Sequence, residues 1–337
     1  MRYRKVGTSD LQVSEIAVGT GDNAGAMVYG TAKQQTELIA AALDLGVNLF
    51  DTSPDYGKGL GEANLGRTLK ELGARDAKII TKVEIMPEDL GRIAARVRES
   101  VNDSLLRLQR DHVDVLMLHN PVRMERNLEI RQWSRLTTAD VIGEVLPALE
   151  QVRQAGKARY LGLACEASDP RCVETLLATG AFAMLNAWYN LANPSAVTPV
   201  KGLPPGEAYD GMFDSALRHG AGVVVIRPLA GGALTAVMQA KGHAGRHDLS
   251  RGYYRDIPKA FEPELERARK FLFLERAPAQ TLAQAATKFI LAQPVVASIV
   301  GGFSEVSHLQ AAARCSDDPS LSRHDLGAIE AVFTRGF

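Results

Sequence analysis

Between Lys78 and Asn120 the chain reads KIITKVEIMPEDLGRIAARVRESVNDSLLRLQRDHVDVLMLHN. Lys78 to Val83 is rich in β-branched residues and predicts a strand. From Asp89 to Leu108, the residues Leu90, Ile93, Ala94, Val97, Val101, Leu105 and Leu108 recur at threes and fours, which places one apolar stripe on a helix. Val113 to Leu118 is nearly continuous in apolar side chains, as a strand covered on both faces must be. This strand, helix, strand unit sets the period for the rest of the chain.

Upstream, residues 2 to 15 predict a short hairpin, Ile16 to Thr20 and Asn48 to Thr52 strands, and Thr31 to Leu45 and Leu60 to Leu72 helices. Downstream, strands are expected at Ala158 to Ala164, Met184 to Tyr189, Val223 to Ile226 and Ala297 to Val300. Helices are expected near Ala139 to Ala155, Pro170 to Ala178, Glu207 to His219, and Pro263 to Gln293 with a break around Pro278. Strict alternation implies parallel strands joined by right-handed crossovers. Eight such units close most simply into a (β/α)8 TIM barrel with an N-terminal β-hairpin, and an open doubly wound sheet is the alternative. No composition shift divides the chain, so residues 1–337 are read as a single barrel domain.

Composition narrows the function. The 337 residues are 46% apolar and 23% charged, ordinary for a globular protein with a large core. Thirty-nine Lys plus Arg balance thirty-nine Asp plus Glu, so no general nucleic-acid or acidic-membrane partner is expected. Cys165, Cys172 and Cys315 form neither a disulfide framework nor a zinc ribbon. The first residues lack the apolar run of a secretory signal, and no stretch of about 18 uninterrupted apolar residues occurs, so a cytoplasmic location without a membrane partner is expected.

Titratable groups at barrel strand ends carry a functional prior. Asp51 closes the second strand, Tyr56 lies in the loop after it, Lys82 closes the third strand and His119 the fourth, so all four are expected at one mouth. A buried Lys needs a carboxylate partner, which Asp51 on the adjacent strand can supply. The paired Lys82 cation is expected to favour ionisation of Tyr56 and to draw its pKa below the usual value of about 10.

The chain resembles the aldo-keto reductase family. The resemblance rests on Asp51-Thr52-Ser53-Pro54-Asp55-Tyr56-Gly57 with Gly61-Glu62 and Leu65-Gly66, on Thr81-Lys82, on Asp114-Val115-Leu116-Met117-Leu118-His119, and on Gly156-Lys157-Ala158-Arg159-Tyr160-Leu161-Gly162. These motifs run in order over essentially the whole chain. The resemblance implies NAD(P)-dependent hydride transfer to an aldehyde or ketone, or from an alcohol, with a small-molecule carbonyl or alcohol as substrate. Tyr56 would be the general acid/base, Lys82 and Asp51 would tune it, and His119 would orient the carbonyl oxygen. It also leaves open a nicotinamide-sensing regulatory subunit, like the potassium-channel β subunits of the same family. The sequence assigns neither a substrate nor an oligomeric state.

Two dinucleotide signatures are set aside. Gly19-Thr20-Gly21-Asp22-Asn23-Ala24 fits a relaxed Rossmann fingerprint, but Gly25 and Gly30 interrupt the helix that must follow. Tyr29 and Lys33 have a short-chain dehydrogenase spacing without the preceding nucleotide fold. A barrel holds its phosphates beyond the last strands, so Gly301-Gly302-Phe303-Ser304 is the expected phosphate loop, with Ser304 as helix N-cap. Gly19, Thr20, Asp51, Asn186 and Arg227-Pro228-Leu229 are the other expected cofactor contacts. Lys and Arg are absent from Ser298 to Ala313, which leans from NADP(H) towards NAD(H).

Ala164-Cys165 stands where the family carries a Ser-Asn pair, Asn186 where Gln is usual, and Ile226 where Tyr often stacks on nicotinamide. Cys165 reads as a buried, inert thiol. Met27, Trp133, Trp188 and Tyr189 are candidates for an apolar substrate pocket. His243 and His247 lack a third ligand, so no metal is expected.

Overall fold

The computed structural model describes residues 1–22, 25–127, 134–235, 258–276, 279–318 and 320–337. The chain opens with a hairpin, β1 (Tyr3–Lys5) and β2 (Gln12–Ser14), paired antiparallel with Tyr3 opposite Ser14. The next eight strands are β3 (Ile16–Gly19), β4 (Leu49–Asp51), β5 (Lys78–Val83), β6 (Val113–Leu118), β7 (Ala158–Ala164), β8 (Phe182–Trp188), β9 (Gly222–Ile226) and β10 (Val296–Gly301). Each pairs in parallel with its neighbour in sequence, and β10 returns to β3 with Ile299 opposite Ile16. The sheet is a closed (β/α)8 barrel, and neither an open sheet nor a Rossmann unit is present among the described residues.

Strand alternation explains which side chains face inward. Leu49, Ile80, Val115, Met117, Met184 and Val224 form one apolar cluster inside the barrel, while Phe50, Ile79, Leu116, Leu185 and Val225 join the layer beneath the helices. Two residues beyond Leu49, Ile80, Met117 and Met184 stand Asp51, Lys82, His119 and Asn186. The period of two therefore carries all four polar groups into the mouth above the apolar plug.

The hairpin closes the opposite end, where Val6, Leu11 and Val13 join the interior cluster. The guanidinium of Arg4 donates to the carbonyls of Leu291 (2.7 Å), Gln293 (3.1 Å) and Val296 (2.9 Å), and to buried Glu15 (2.6 Å). Burial opposes the charge of Glu15, but Arg2, Ser316 and Arg4 together hold its carboxyl below the usual range.

Local rules set the helix ends. Thr31 caps the helix Ala32–Asp44 in a reciprocal box with Gln34. The helix expected from Asp89 begins at Ile93 (Ile93–Leu108), because Gly91 adopts φ +81° and separates it from a short turn at Pro87–Asp89. The helix expected from Glu207 runs Met212–Arg218, after Gly211 at φ +73°. The long C-terminal helical region divides into Pro258–Arg269 and Leu282–Leu291, the second capped by Thr281. Among the described residues no helix is long and apolar enough to cross a membrane.

Candidate active site

The centre of the mouth is a hydrogen-bonded chain of side chains from adjacent strands. Lys82 Nζ donates to Asp51 Oδ1 at 2.7 Å, to the Thr52 carbonyl at 2.8 Å and to the Tyr56 hydroxyl oxygen at 3.3 Å. Because the phenol oxygen accepts from Lys82, its own proton remains available to another partner. Asp51 Oδ2 accepts from Asn186 Nδ2 at 2.9 Å, so both oxygens of the carboxylate are engaged. Asp51 and Lys82 are buried.

Tyr56 reaches this group from the loop after β4. Its backbone N–H closes a turn onto the Ser53 carbonyl at 3.2 Å, and the chain then passes through Gly57 at φ +58°. A Cβ at Gly57 would lie 2.4 Å from Val28 Cγ1, so only glycine fits beside the anchored tyrosine. Gly21 backs onto the Tyr56 ring, with the position of its missing Cβ 3.6 Å from the ring. The His119 ring meets Tyr56 edge-on at 6.2 Å between centroids, and His119 Nδ1 lies 3.4 Å from Ser53 Oγ.

A second layer fixes β5. Buried Glu62 accepts from Thr81 Oγ1 at 2.5 Å and from Arg107 Nε at 2.7 Å, while Asp114 accepts from the Ile79 amide at 2.9 Å. These contacts explain the Glu62, Thr81 and Asp114 positions of the motifs. Asn120, which sequence reasoning passed over, clamps the ends of β5 and β6 through both backbone groups of Ile85 at 2.8 Å. Its place directly after His119 was the available signal.

The electrostatics correct one expectation. Desolvation pushes the Tyr56 phenol up to about 12; Lys82 draws it down, but Asp51 and Glu166 add to the rise. The expected lowering fails because burial and the carboxylate outweigh the cation. Tyr56 is therefore a protonated phenol at neutral pH. Burial opposes the Lys82 charge, yet Asp51 overrides it and holds the ammonium above its usual range. His119 is pushed down to about 3, first by burial and then by Lys82, so it is a neutral imidazole. Burial raises the Cys165 thiol, which is unreactive in this form.

The expected cofactor residues lie around the same mouth at strand ends. The Thr20 hydroxyl donates to Thr52 Oγ1 at 2.7 Å beneath Tyr56. Asn186 Oδ1 is a buried acceptor without a partner among the described residues, beside the Asp51–Lys82 pair, and suits the primary amide of a nicotinamide. Arg227, at φ +52°, lies 4.3 Å over the Trp188 ring and donates to both oxygens of Glu264 at 2.6 and 2.7 Å. Asn190 holds the start of the following Pro228-Leu229 turn by donating to the Arg227 carbonyl at 2.8 Å.

At the end of β10, Gly301 is required by its own neighbour, since a Cβ there would lie 2.2 Å from the Phe303 ring, while Gly302 in the loop beyond is exposed. Ser304 is not the expected N-cap. The helix Val306–Asp317 begins one residue later, with Glu305 in the capping position, and Ser304 Oγ instead lies 3.4 Å from His308 Nδ1.

Met27 and Tyr189 are fully buried in the core cluster; Tyr189 stacks on Phe289 at 5.1 Å between barrel and helix. One residue past Trp188, it faces the other way by strand alternation. Trp133, His243, His247 and the basic residues between 236 and 257 lie outside the described residues. Among the described residues no cluster of potential metal ligands occurs.

Comparisons with known proteins agree with this fold. "Uncharacterized oxidoreductase YqkF" of Bacillus subtilis is 27% identical over 98% of this chain and 96% of its own. "L-galactose dehydrogenase" of Arabidopsis thaliana is 28% identical, covering 98% of this chain and 94% of its own. A "probable voltage-gated potassium channel subunit beta" of Arabidopsis thaliana is 26% identical over 98% of this chain and 96% of its own. Among solved structures, the holo form of "aldo-keto reductase AKR11C1" from Bacillus halodurans has the same fold, with a TM-score of 0.72 at 24% identity over 98% of this chain and 96% of that one. The sequence profile of the aldo/keto reductase family matches residues 15–333, and the chain belongs to that family of oxidoreductases.

Proposed function

We propose that this protein reduces an aldehyde or ketone to the alcohol, or carries out the reverse oxidation, with a nicotinamide dinucleotide and with Tyr56 as the proton donor or acceptor. The observation that carries the reading is the Lys82 ammonium joined to Asp51 on one side and to the Tyr56 hydroxyl on the other. The bound nicotinamide supplies or takes up the hydride. Tyr56 gives its free proton to the substrate oxygen as negative charge develops there. Lys82, already donating to the phenol oxygen, stabilises the charge left behind, and Asp51 keeps Lys82 ionised. Neutral His119 offers a ring N–H to orient the same substrate oxygen.

Asn186 would accept from the carboxamide, while Gly19, Thr20, Arg227-Pro228-Leu229 and Gly301 to Ser304 would hold the rest of the dinucleotide. NAD(H) is favoured, because Ser298 to Ala313 carries no Lys or Arg and Arg227 is already paired with Glu264. A small carbonyl compound in the cytoplasm is the substrate setting consistent with this site.

The test is dinucleotide oxidation by the wild type across a panel of aldehydes and ketones, with NADH and NADPH compared. Carbonyl-dependent oxidation is expected. Tyr56→Phe should lower kcat by about 10²–10⁴ while the dinucleotide still binds. Turnover at the wild-type rate in Tyr56→Phe overturns its role, and dinucleotide binding without turnover of any carbonyl would favour the sensing subunit.

A further inference from the structure

Glu166 follows β7 by two residues and sits at the corner of a tight turn on the rim of the mouth. The turn is closed by the Ser168 amide donating to the Cys165 carbonyl at 3.1 Å, and Ala167 adopts φ +57°. It is pinned on several sides. The Cys165 amide donates to the Asn186 carbonyl at 2.8 Å, the Ala167 amide to the Tyr209 hydroxyl at 3.3 Å, and Arg123 Nε to the Ala167 carbonyl at 2.6 Å. Tyr209 in turn meets Trp188 edge-on at 5.9 Å. Glu166 is therefore carried on a rigid corner beyond β7, between the ends of β6 and β8, which His119 follows and Trp188 closes.

Three other charge pairs around the mouth are matched. Lys82 pairs with Asp51, Arg227 with Glu264, and Arg267 with Glu207. Half-buried Glu166 makes no hydrogen bond or ion pair among the described residues, and it shares this lack of a cation with Asp22, which lies on the Tyr56 side of the mouth with one buried oxygen unpartnered. The field of Glu166 reaches the reacting groups, since it acts on both Tyr56 and Lys82. An unpaired acid in a confined site attracts a cation or hydrogen-bond donor and repels a second anion.

We propose, on the basis of the reductase reading above, that Glu166 is a specificity-determining residue that favours carbonyl substrates with a cationic or uncharged tail and disfavours anionic ones. Burial pushes the Glu166 carboxyl up, against the pull of Arg227, and a substrate cation placed beside it would favour its ionised form. A carboxylate or phosphate on the substrate would instead share the site with Glu166, while Arg123 beside the turn is engaged by the Ala167 and Gly206 carbonyls.

The experiment compares kcat/KM for three para-substituted benzaldehydes, bearing carboxylate, nitro and trimethylammonium groups, in the wild type, Glu166→Gln and Glu166→Ala. Each ratio is taken within one variant, so a partly inactive preparation cancels, and intrinsic aldehyde reactivity cancels between variants. In both variants the anionic-to-uncharged ratio should rise about tenfold and the cationic-to-uncharged ratio should fall by a similar factor. An equal change for all three probes overturns the assignment of Glu166 while leaving the reductase reading intact. A wild type that turns over none of them, nor any carbonyl of the wider panel, overturns both.

Discussion

Asn186 on β8 donates to Asp51 on β4 at 2.9 Å, joining strands on opposite sides of the barrel and 135 residues apart. The bond fixes the carboxylate oxygen that Lys82 does not use, so Asp51 cannot rotate without breaking a charge-assisted contact. Replacing Asn186 by Ala should cost about 1.5–3 kcal/mol of stability. A freed Asp51 should also hold Lys82 less firmly, lowering kcat by about tenfold. Urea unfolding and steady-state kinetics would read the two effects; a variant indistinguishable from wild type in both would mean the bond does not organise the site.

The protonation of Tyr56 sets opposite pH dependences for the two reaction directions. With the phenol near 12, the proton-donating form dominates at any pH below that value. Carbonyl reduction should therefore show no dependence on this group between about pH 6 and 9, whereas alcohol oxidation needs the phenolate and should rise about tenfold per pH unit over the same range. Profiles of kcat/KM in both directions would check this. A reduction profile that falls through pH 7 to 8 would place the phenol far lower.

His119 makes the fold sensitive to acid. Its folded pKa, near 3, lies below the unfolded value of about 6.5, so the unfolded chain binds more protons between those limits. Stability from the neutral imidazole is complete above about pH 6.5 and is lost as pH falls towards 3, amounting to about 3 kcal/mol by pH 4. The difference in unfolding free energy between wild type and His119→Gln should change by that amount between pH 7 and pH 4. Parallel curves for the two proteins would refute the linkage.

What was legible in the sequence was whatever depends on neighbours along the chain. β5, β6 and β7 begin and end where their apolar runs do, and the period of two placed Asp51, Lys82 and His119 on the inner face. Helix starts were misjudged where a glycine with positive φ cut the apolar pattern, as at Gly91 and Gly211. Contacts made by barrel closure left no local trace: Asn186 with Asp51, Arg227 with Glu264, and the isolation of Glu166. The acidity of Tyr56 was misjudged for a related reason. Spacing reveals the cation beside a phenol, but the depth at which both are buried emerges only when the strands close around them.

Arg4 ties the hairpin to the base of the barrel far from the chemistry, which makes it a test of how the closed end contributes to folding. Its guanidinium satisfies three carbonyls at the end of the helix Leu282–Leu291 and the start of β10, and shares buried Glu15 with Arg2. Arg4→Ala removes all four contacts and leaves Glu15 with Arg2 as its remaining cation. Losing one partner of a buried ion pair typically costs about 3–5 kcal/mol, and the half-exposed Arg2 should offset part of it, so a loss of about 2–4 kcal/mol is expected. KM for substrate should not move, because the mouth is built at the opposite ends of the strands. A variant with wild-type Tm would show that the hairpin is not anchored through this arginine, and an altered KM would show that the two ends of the barrel are coupled.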